Sequence, residues 1–278
     1  MSLLIKNGTI VTAVDEYQAD ILVEGEQITT IGKNLDYKAA EIVDAKGMYV
    51  LPGGVDQHTH FSFKYGDAVV RGFETSNAAA VGGTTTCIEF INQLTGKSIT
   101  ESVRKFEQEK VSGIAMVDYS FHGVVTDPTD ELFEEIPTLP KQGIPTIKLF
   151  MAYKGACYHS DDSAIFRALQ ASKDAGVTIM VHAENADLID VLQKQCLAAG
   201  KTAPMYHAVS RPPLVEVEAT QRAIYLAELA EAHLYVVHVT TKESMEVRGS
   251  SSFSLTCCLY SLRNICHPHD TTCPLCRL

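Results

Sequence analysis

Val50–His60 reads V-L-P-G-G-V-D-Q-H-T-H, a short apolar run that ends in two histidines one residue apart. Side chains alternate faces along an extended strand, so Asp56, His58 and His60 point the same way at the carboxyl end of the run. Two neutral imidazoles delivered side by side make half of a metal site. An H-x-H alone is a weak signal, because exposed pairs of this kind arise by chance. The missing ligands have to come from elsewhere in the chain.

Upstream, 3–12 (L-L-I-K-N-G-T-I-V-T), 20–31 (D-I-L-V-E-G-E-Q-I-T-T-I) and Glu41–Val50 are β-rich, with turn signals at Asn7-Gly8, Glu24-Gly25-Glu26 and Lys46-Gly47. They predict hairpins of a small antiparallel sheet over residues 1–50, too short to be an independent core. Downstream the rhythm changes. Apolar strands at Val50–Val55, Thr84–Phe90, Ala115–Val125, Pro145–Tyr153, Val177–Ala183 and Leu234–Thr240 alternate with amphipathic helices, among them Glu74–Val81, Ser98–Val111 and one near Asp130–Lys141. Strands buried on both faces imply a parallel sheet, either a (β/α) barrel or an open doubly wound sheet. No G-x-G-x-x-G follows the first strand, which lowers the dinucleotide-binding reading.

Composition narrows the function classes. The 278 residues are 46% hydrophobic, enough for one sizeable core or a core with a satellite. A formal charge of −11, from 34 acidic and 23 basic residues, argues against a nucleic-acid surface. No apolar run approaches a membrane span, and Lys6 interrupts any secretory-signal pattern, so a cytoplasmic protein is expected. Cys87, Cys157 and Cys196 are scattered, as in a reduced intracellular enzyme.

The strand ends carry the chemistry. After His58 and His60 on the first strand, I-P-T-I-K-L-F-M-A-Y places Lys148 inside an apolar run. V-T-I-M-V-H-A-E-N ends with His182, and L-Y-V-V-H-V-T-T ends with His238. In a barrel, active sites are built at that end from several strands. Each histidine alone reads as a satisfied rim residue, and Lys148 could snorkel to water. A buried ammonium is costly unless neutralised, as by carbamate formation. Four strand-end histidines and a buried lysine together favour a binuclear metal site. Glu184 and Asn185 are candidates to orient His182, and Asp56 to hold an imidazole tautomer. His122 reads as a core histidine, and His159, His207 and His233 as loop or helix-end residues. Glu216 and Glu218 read as a solvated helix face.

P-G-G-V-D-Q-H-T-H (52–60), A-A-A-V-G-G-T-T-T (78–86), D-Y-S-F-H-G (118–123), I-K-L-F-M-A-Y-K-G (147–155), V-H-A-E-N (181–185), A-P-M-Y-H-A-V-S-R-P (203–212) and V-V-H-V-T-T-K-E-S-M-E (236–246) occur in one order. With them the chain resembles the D-hydantoinase/dihydropyrimidinase family of cyclic amidohydrolases over residues 1–246. The resemblance implies an α/β fold: a TIM-like (β/α) barrel of the amidohydrolase type over 51–246, plus the small β-rich domain of 1–50. It implies a hydrolase that opens the cyclic amide ring of dihydropyrimidines or 5-substituted hydantoins, a small cyclic amide or imide substrate, and a homotetramer or homodimer. It also implies two Zn2+, one held by His58 and His60, the other by His182 and His238, bridged by carboxylated Lys148. A zinc-bridging hydroxide would attack the ring carbonyl, and Tyr153 would donate its hydroxyl to the developing oxyanion. The loop Phe61–Val70, with Phe63 and Tyr65, is where contacts to the ring substituent are expected. Allantoinases and dihydroorotases use similar motifs. A non-catalytic dihydropyrimidinase-related scaffold is the non-enzyme alternative, although such relatives lack these ligands. A fragment with no function of its own is the third.

After Glu246 the resemblance stops. S-S-S-F-S-L-T-C-C-L-Y-S-L (250–262) and C-H-P-H-D-T-T-C-P-L-C-R-L (266–278) fall in a Cys/Ser-rich tail, 247–278, that resembles translation out of frame or a truncated gene product. The expectation is a barrel truncated after about six strands, without the strand-eight aspartate that serves as ligand and base, and hence impaired turnover. Cys266, His267, His269, Cys273 and Cys276 contain a C-x-x-C, but they follow a domain cut off in mid-helix and do not read as a zinc knuckle. Asp270 stands outside the family's strand-eight context.

Overall fold

The computed structural model describes residues 1–247 apart from 63, 66–67, 70 and 156–157, together with the backbone of 256–259. Phe63, the side chain of Tyr65, Cys157, and the tail positions Cys266, His267, His269, Asp270, Cys273 and Cys276 lie outside the described residues. The chain forms two compact units, Met1–Val55 with Ala79–Thr86, and Asp56–Ala78 with the chain from Cys87 onward.

In the first unit, β1 (Ser2–Val11), β2 (Glu16–Glu24) and β3 (Gln27–Gly32) form an antiparallel meander. Gly25, at φ 65°, makes the tight β2–β3 turn. Asn7-Gly8 is not a turn: it interrupts the β1–β2 register between Ile5 and Gly8 as a bulge. Asn7 sits at φ 62°. Its N–H donates to the buried Asp20 at 2.8 Å, and its side-chain amide donates to Asp44 at 2.8 Å. The sheet is also mixed rather than antiparallel throughout, because β4 (Glu41–Asp44) and β5 (Tyr49–Val50) run parallel to β1. Ile10, Ala19 and Ile21 form its small core.

The strand that opens the barrel is β6 (Gly54–Thr59), displaced past Pro52-Gly53 from the expected Val50–Val55. A short hairpin of β7 (Lys64–Tyr65) and β8 (Ala68–Val69) follows. Then come α1 (Ser76–Val81), β9 (Thr84–Asn92), α2 (Ile99–Lys110), β10 (Asp118–Val124), α3 (Asp130–Glu135), β11 (Thr146–Phe150), α4 (Asp162–Ser172), β12 (Thr178–His182), α5 (Ala186–Ala198), α6 (Met205–Val209), α7 (Pro213–Ala230), β13 (Leu234–Val239) and α8 (Lys242–Val247). The single helix expected near Asp130–Lys141 divides: α3 gives way to a 3₁₀ turn over Ile136–Gln142. Pro137 and Pro140 have no N–H to continue an α-helix.

Seven strands form one sheet in the order β14-β13-β12-β11-β10-β9-β6, where β14 (Thr256–Leu259) pairs parallel with β13. The tail therefore adds a short seventh strand to the six read from the sequence. Ile147, Leu149, Ile179, Val181 and Val236 face the helices and pack with Ile165, Leu169 and Ala223. The other face carries Phe90, Val124, Met180 and Val237. A flat sheet would hold β6 and β13 about 24 Å apart, at ~4.8 Å per strand. The ring centroids of His58 and His238 are instead 5.5 Å apart. The sheet is thus curled into an incomplete barrel with the second face inside.

Candidate metal centre

β11 explains Lys148. In T-I-K-L-F the neighbours Ile147 and Leu149 turn to the helices and are fully buried, so Lys148 must turn inward, where it is 2% exposed. Parallel register sets Lys148 beside Val124 and Met180, and Phe150 beside His182. The Lys148 Nζ lies 4.7 Å from the centroid of Phe90 and 4.8 Å from that of Phe150. Burial alone brings its pKa down to about 7.

His58 and His60 leave β6 on this inner side, with rings 5.3 Å apart and Phe90 packed against both, at 4.4 and 5.3 Å. His182 ends β12, and its Nδ1 lies 3.1 Å from Nε2 of His238. His238 reaches the site by a backbone reversal. Met180 pairs with Tyr235, and Val237 belongs to the inner cluster, so simple alternation would send His238 outward. At φ 38° it turns inward and Val239 joins the helix-side core. Tyr153 is also left-handed, at φ 62°, with its ring 5.4 Å from His182. Such conformations cost about 1–3 kcal/mol each and are held by their surroundings.

Burial and neighbouring charge favour the uncharged form of His58, His60 and His238. Burial, then the nearby Lys148 ammonium, lowers His58 to about 3 and pushes His60 down. Burial, then His182, lowers His238. Neutral imidazole is the form that binds metal. All five sequence-derived ligand candidates and Tyr153 line one cavity of about 620 Å³. The donors come as two imidazole pairs with one buried lysine amine close to both. That set fits two zinc-type cations sharing a lysine-derived ligand. Among the described residues no three of His, Cys, Asp and Glu are placed to hold a metal ion by themselves.

The surrounding contacts correct several readings. Glu184 does contact His182, through Nε2 at 2.7 Å, and is itself paired with Arg211 at 3.5 Å. Burial pushes Glu184 up, but the bond to His182 and its charge, with that of Arg211, hold it below the usual carboxylate range. Asn185 instead caps α5 and donates to Glu218 at 2.6 Å. Asp56 accepts from the backbone N–H of His58 at 3.1 Å. Glu216 is half-buried rather than simply facing solvent, and it accepts from the N–H and hydroxyl groups of both Thr240 and Thr241, beyond His238. His122 is a core histidine, bonded to Thr146 and, through Nε2 at 3.0 Å, to the Gln57 carbonyl. Sequence reasoning misses Glu89, which is 1% exposed behind the first imidazole pair. Burial raises it to about 7 against the bonds from Phe61, Thr59 and Ser62. Its signal is a single charge within T-T-T-C-I-E-F-I-N, the signature that marks Lys148.

The amidohydrolase family profile matches residues 49–245. The chain is 47% identical over 249 residues to the D-hydantoinase of Geobacillus stearothermophilus, covering 88% of this chain and 52% of that protein. With the D-hydantoinase of Ralstonia pickettii it shares 44% over 268 residues, 94% of this chain and 58% of the relative. A crystal structure of D-hydantoinase superposes with a TM-score of 0.84 at 47% identity, over 89% of this chain and 54% of the other. The dihydropyrimidinase from Brevibacillus agri NCHU1002 gives 0.86 at 42% identity, over 92% and 57%. The chain spans about half the length of the relatives it matches. Incomplete barrel, inward strand ends and sequence similarity agree that this chain belongs to the amidohydrolase family.

Proposed function

We propose that the protein is a metal-dependent hydrolase that opens the ring of a small cyclic amide, of the dihydropyrimidine or 5-substituted hydantoin class. The observation that carries this reading is the convergence of two imidazole pairs and the buried Lys148 on one cavity. His58 and His60 would hold one Zn2+, and His182 and His238 the other. Lys148, with a pKa of about 7, keeps a large uncharged fraction at neutral pH. That form would add to carbon dioxide with loss of a proton to solvent, giving a carbamate whose anionic oxygens would serve as metal ligands. Bound zinc would supply Lewis acidity and a water acidified enough to attack near neutral pH. Tyr153, at the cavity rim, would donate its hydroxyl to the carbonyl oxygen as charge develops there.

Turnover is the weak point of this chain. Among the described residues no carboxylate joins His58 and His60 as a third ligand to act as base. A positioned base is worth about 10²–10⁴ in rate. The cytoplasm is the proposed location: among the described residues no helix is long and apolar enough to cross a membrane, and Cys87 and Cys196 are free thiols. A homotetramer or homodimer completes the reading, supported by the exposed Leu188, Val191, Leu214 and Leu229 of α5 and α7.

The test measures zinc per chain and ring opening of dihydrouracil and a 5-substituted hydantoin, beside the Geobacillus stearothermophilus relative. Zinc uptake with ring opening slower than the relative's by about 10²-fold or more is expected. A rate equal to the relative's would overturn the impaired turnover, and neither zinc nor ring opening would overturn the whole reading.

A further inference from the structure

Glu89 lies on β9, next to the inward-facing Phe90 that packs on His58 and His60. Alternation turns Glu89 to the opposite side, behind the histidine strand. Its Oε2 accepts from the Thr59 hydroxyl at 3.0 Å and from the Phe61 N–H at 2.8 Å, and its Oε1 from the Ser62 N–H at 3.5 Å. Thr59 and Phe61 flank His60 in sequence. β6 ends at Thr59, so His60, Phe61 and Ser62 follow in the segment beyond the strand. A buried carboxylate is costly unless donors surround it, and all of these donors come from the segment that carries the histidine.

We propose that Glu89 is a positioning residue for the first imidazole pair: by gripping Thr59 and Phe61 on either side of His60, it fixes the backbone from which His58 and His60 aim into the cavity. This rests on the metal-centre reading above and adds to it a support behind the ligands. A partner of this kind need not touch the ion to matter, since groups that orient ligands are worth about 10–100-fold in metal affinity.

The experiment titrates the full chain, stripped with chelator, with Co2+ in competition with a chromophoric chelator, following the visible Co2+ bands. Parallel titrations of His60→Ala and His238→Ala assign each binding step to its pair. Glu89→Gln should weaken the first-pair step about 10–100-fold and shift its Co2+ bands, leaving the second-pair step within about twofold. Thr59→Val, which keeps the carboxylate and removes one donor, should weaken the same step roughly threefold to tenfold. If Glu89→Gln does not fold, the selective loss in Thr59→Val, or its absence, decides. Unchanged affinities, or equal weakening of both steps, would overturn the role of Glu89 alone. No Co2+ uptake by the unsubstituted chain would overturn the metal-centre reading beneath it.

Discussion

Lys148 meets two aromatic faces and, among the described residues, no carboxylate within ion-pair distance. Its folded pKa of about 7 is below its ordinary 10.5, so the unfolded chain binds more protons between those values. Stability of the metal-free protein therefore rises with pH across that window, and the penalty is complete below about pH 7. At 1.36 kcal/mol per unit, the penalty is about 5 kcal/mol. Lys148→Met, of similar length and apolar, should be more stable than the parent at pH 6 in chelator, with the gap closing toward pH 10. Urea midpoints at the two pH values check this, and a gap that does not narrow with pH would refute it. Lys148 is legible in the sequence because a lone charge stands in an apolar strand near its carboxyl end. Glu89 carries the same mark, yet only the fold shows that it backs the neighbouring strand.

At the scale of elements, helix ends follow local chemistry. Ser98 accepts from the Glu101 N–H at 3.1 Å, and Glu101 accepts from the Ser98 N–H at 3.2 Å, the capping box legible in S-I-T-E. The next two N–H groups of α2, from Ile99 and Thr100, donate to Glu135 at 2.9 Å each. That partner comes from 35 residues away and no local pattern announces it. Ser98→Ala should cost about 1 kcal/mol in denaturant unfolding. Glu216 plays a similar long-range part, tying α7 to the turn after β13. Glu216→Ala should lower stability by about 1–2 kcal/mol, because it leaves the Thr240 and Thr241 N–H groups without their acceptor. A loss below about 0.3 kcal/mol would return Glu216 to the solvated face that sequence periodicity assigns it.

At the scale of the molecule, the sheet formed by the described residues is incompletely closed. The path of seven strands ends at β14 on one side and β6 on the other, and such edges invite pairing with another chain. With the apolar residues exposed on α5 and α7, this predicts self-association. Sedimentation velocity should give an average mass that rises with concentration, and a single species of one chain's mass throughout would contradict it. The sequence by itself determined the alternating βα architecture, the inward lysine and the strand-end histidines, because burial on two faces and a period of two are local properties. It also carried the similarity that places the chain among amidohydrolases. Tertiary structure alone decided that strands at opposite ends of the sheet curl until His58 and His238 meet, that a left-handed residue turns His238 inward, and that Glu89 and Glu216 hold the segments bearing the histidines. Those depend on which distant backbone groups need an acceptor, and a linear pattern does not record that.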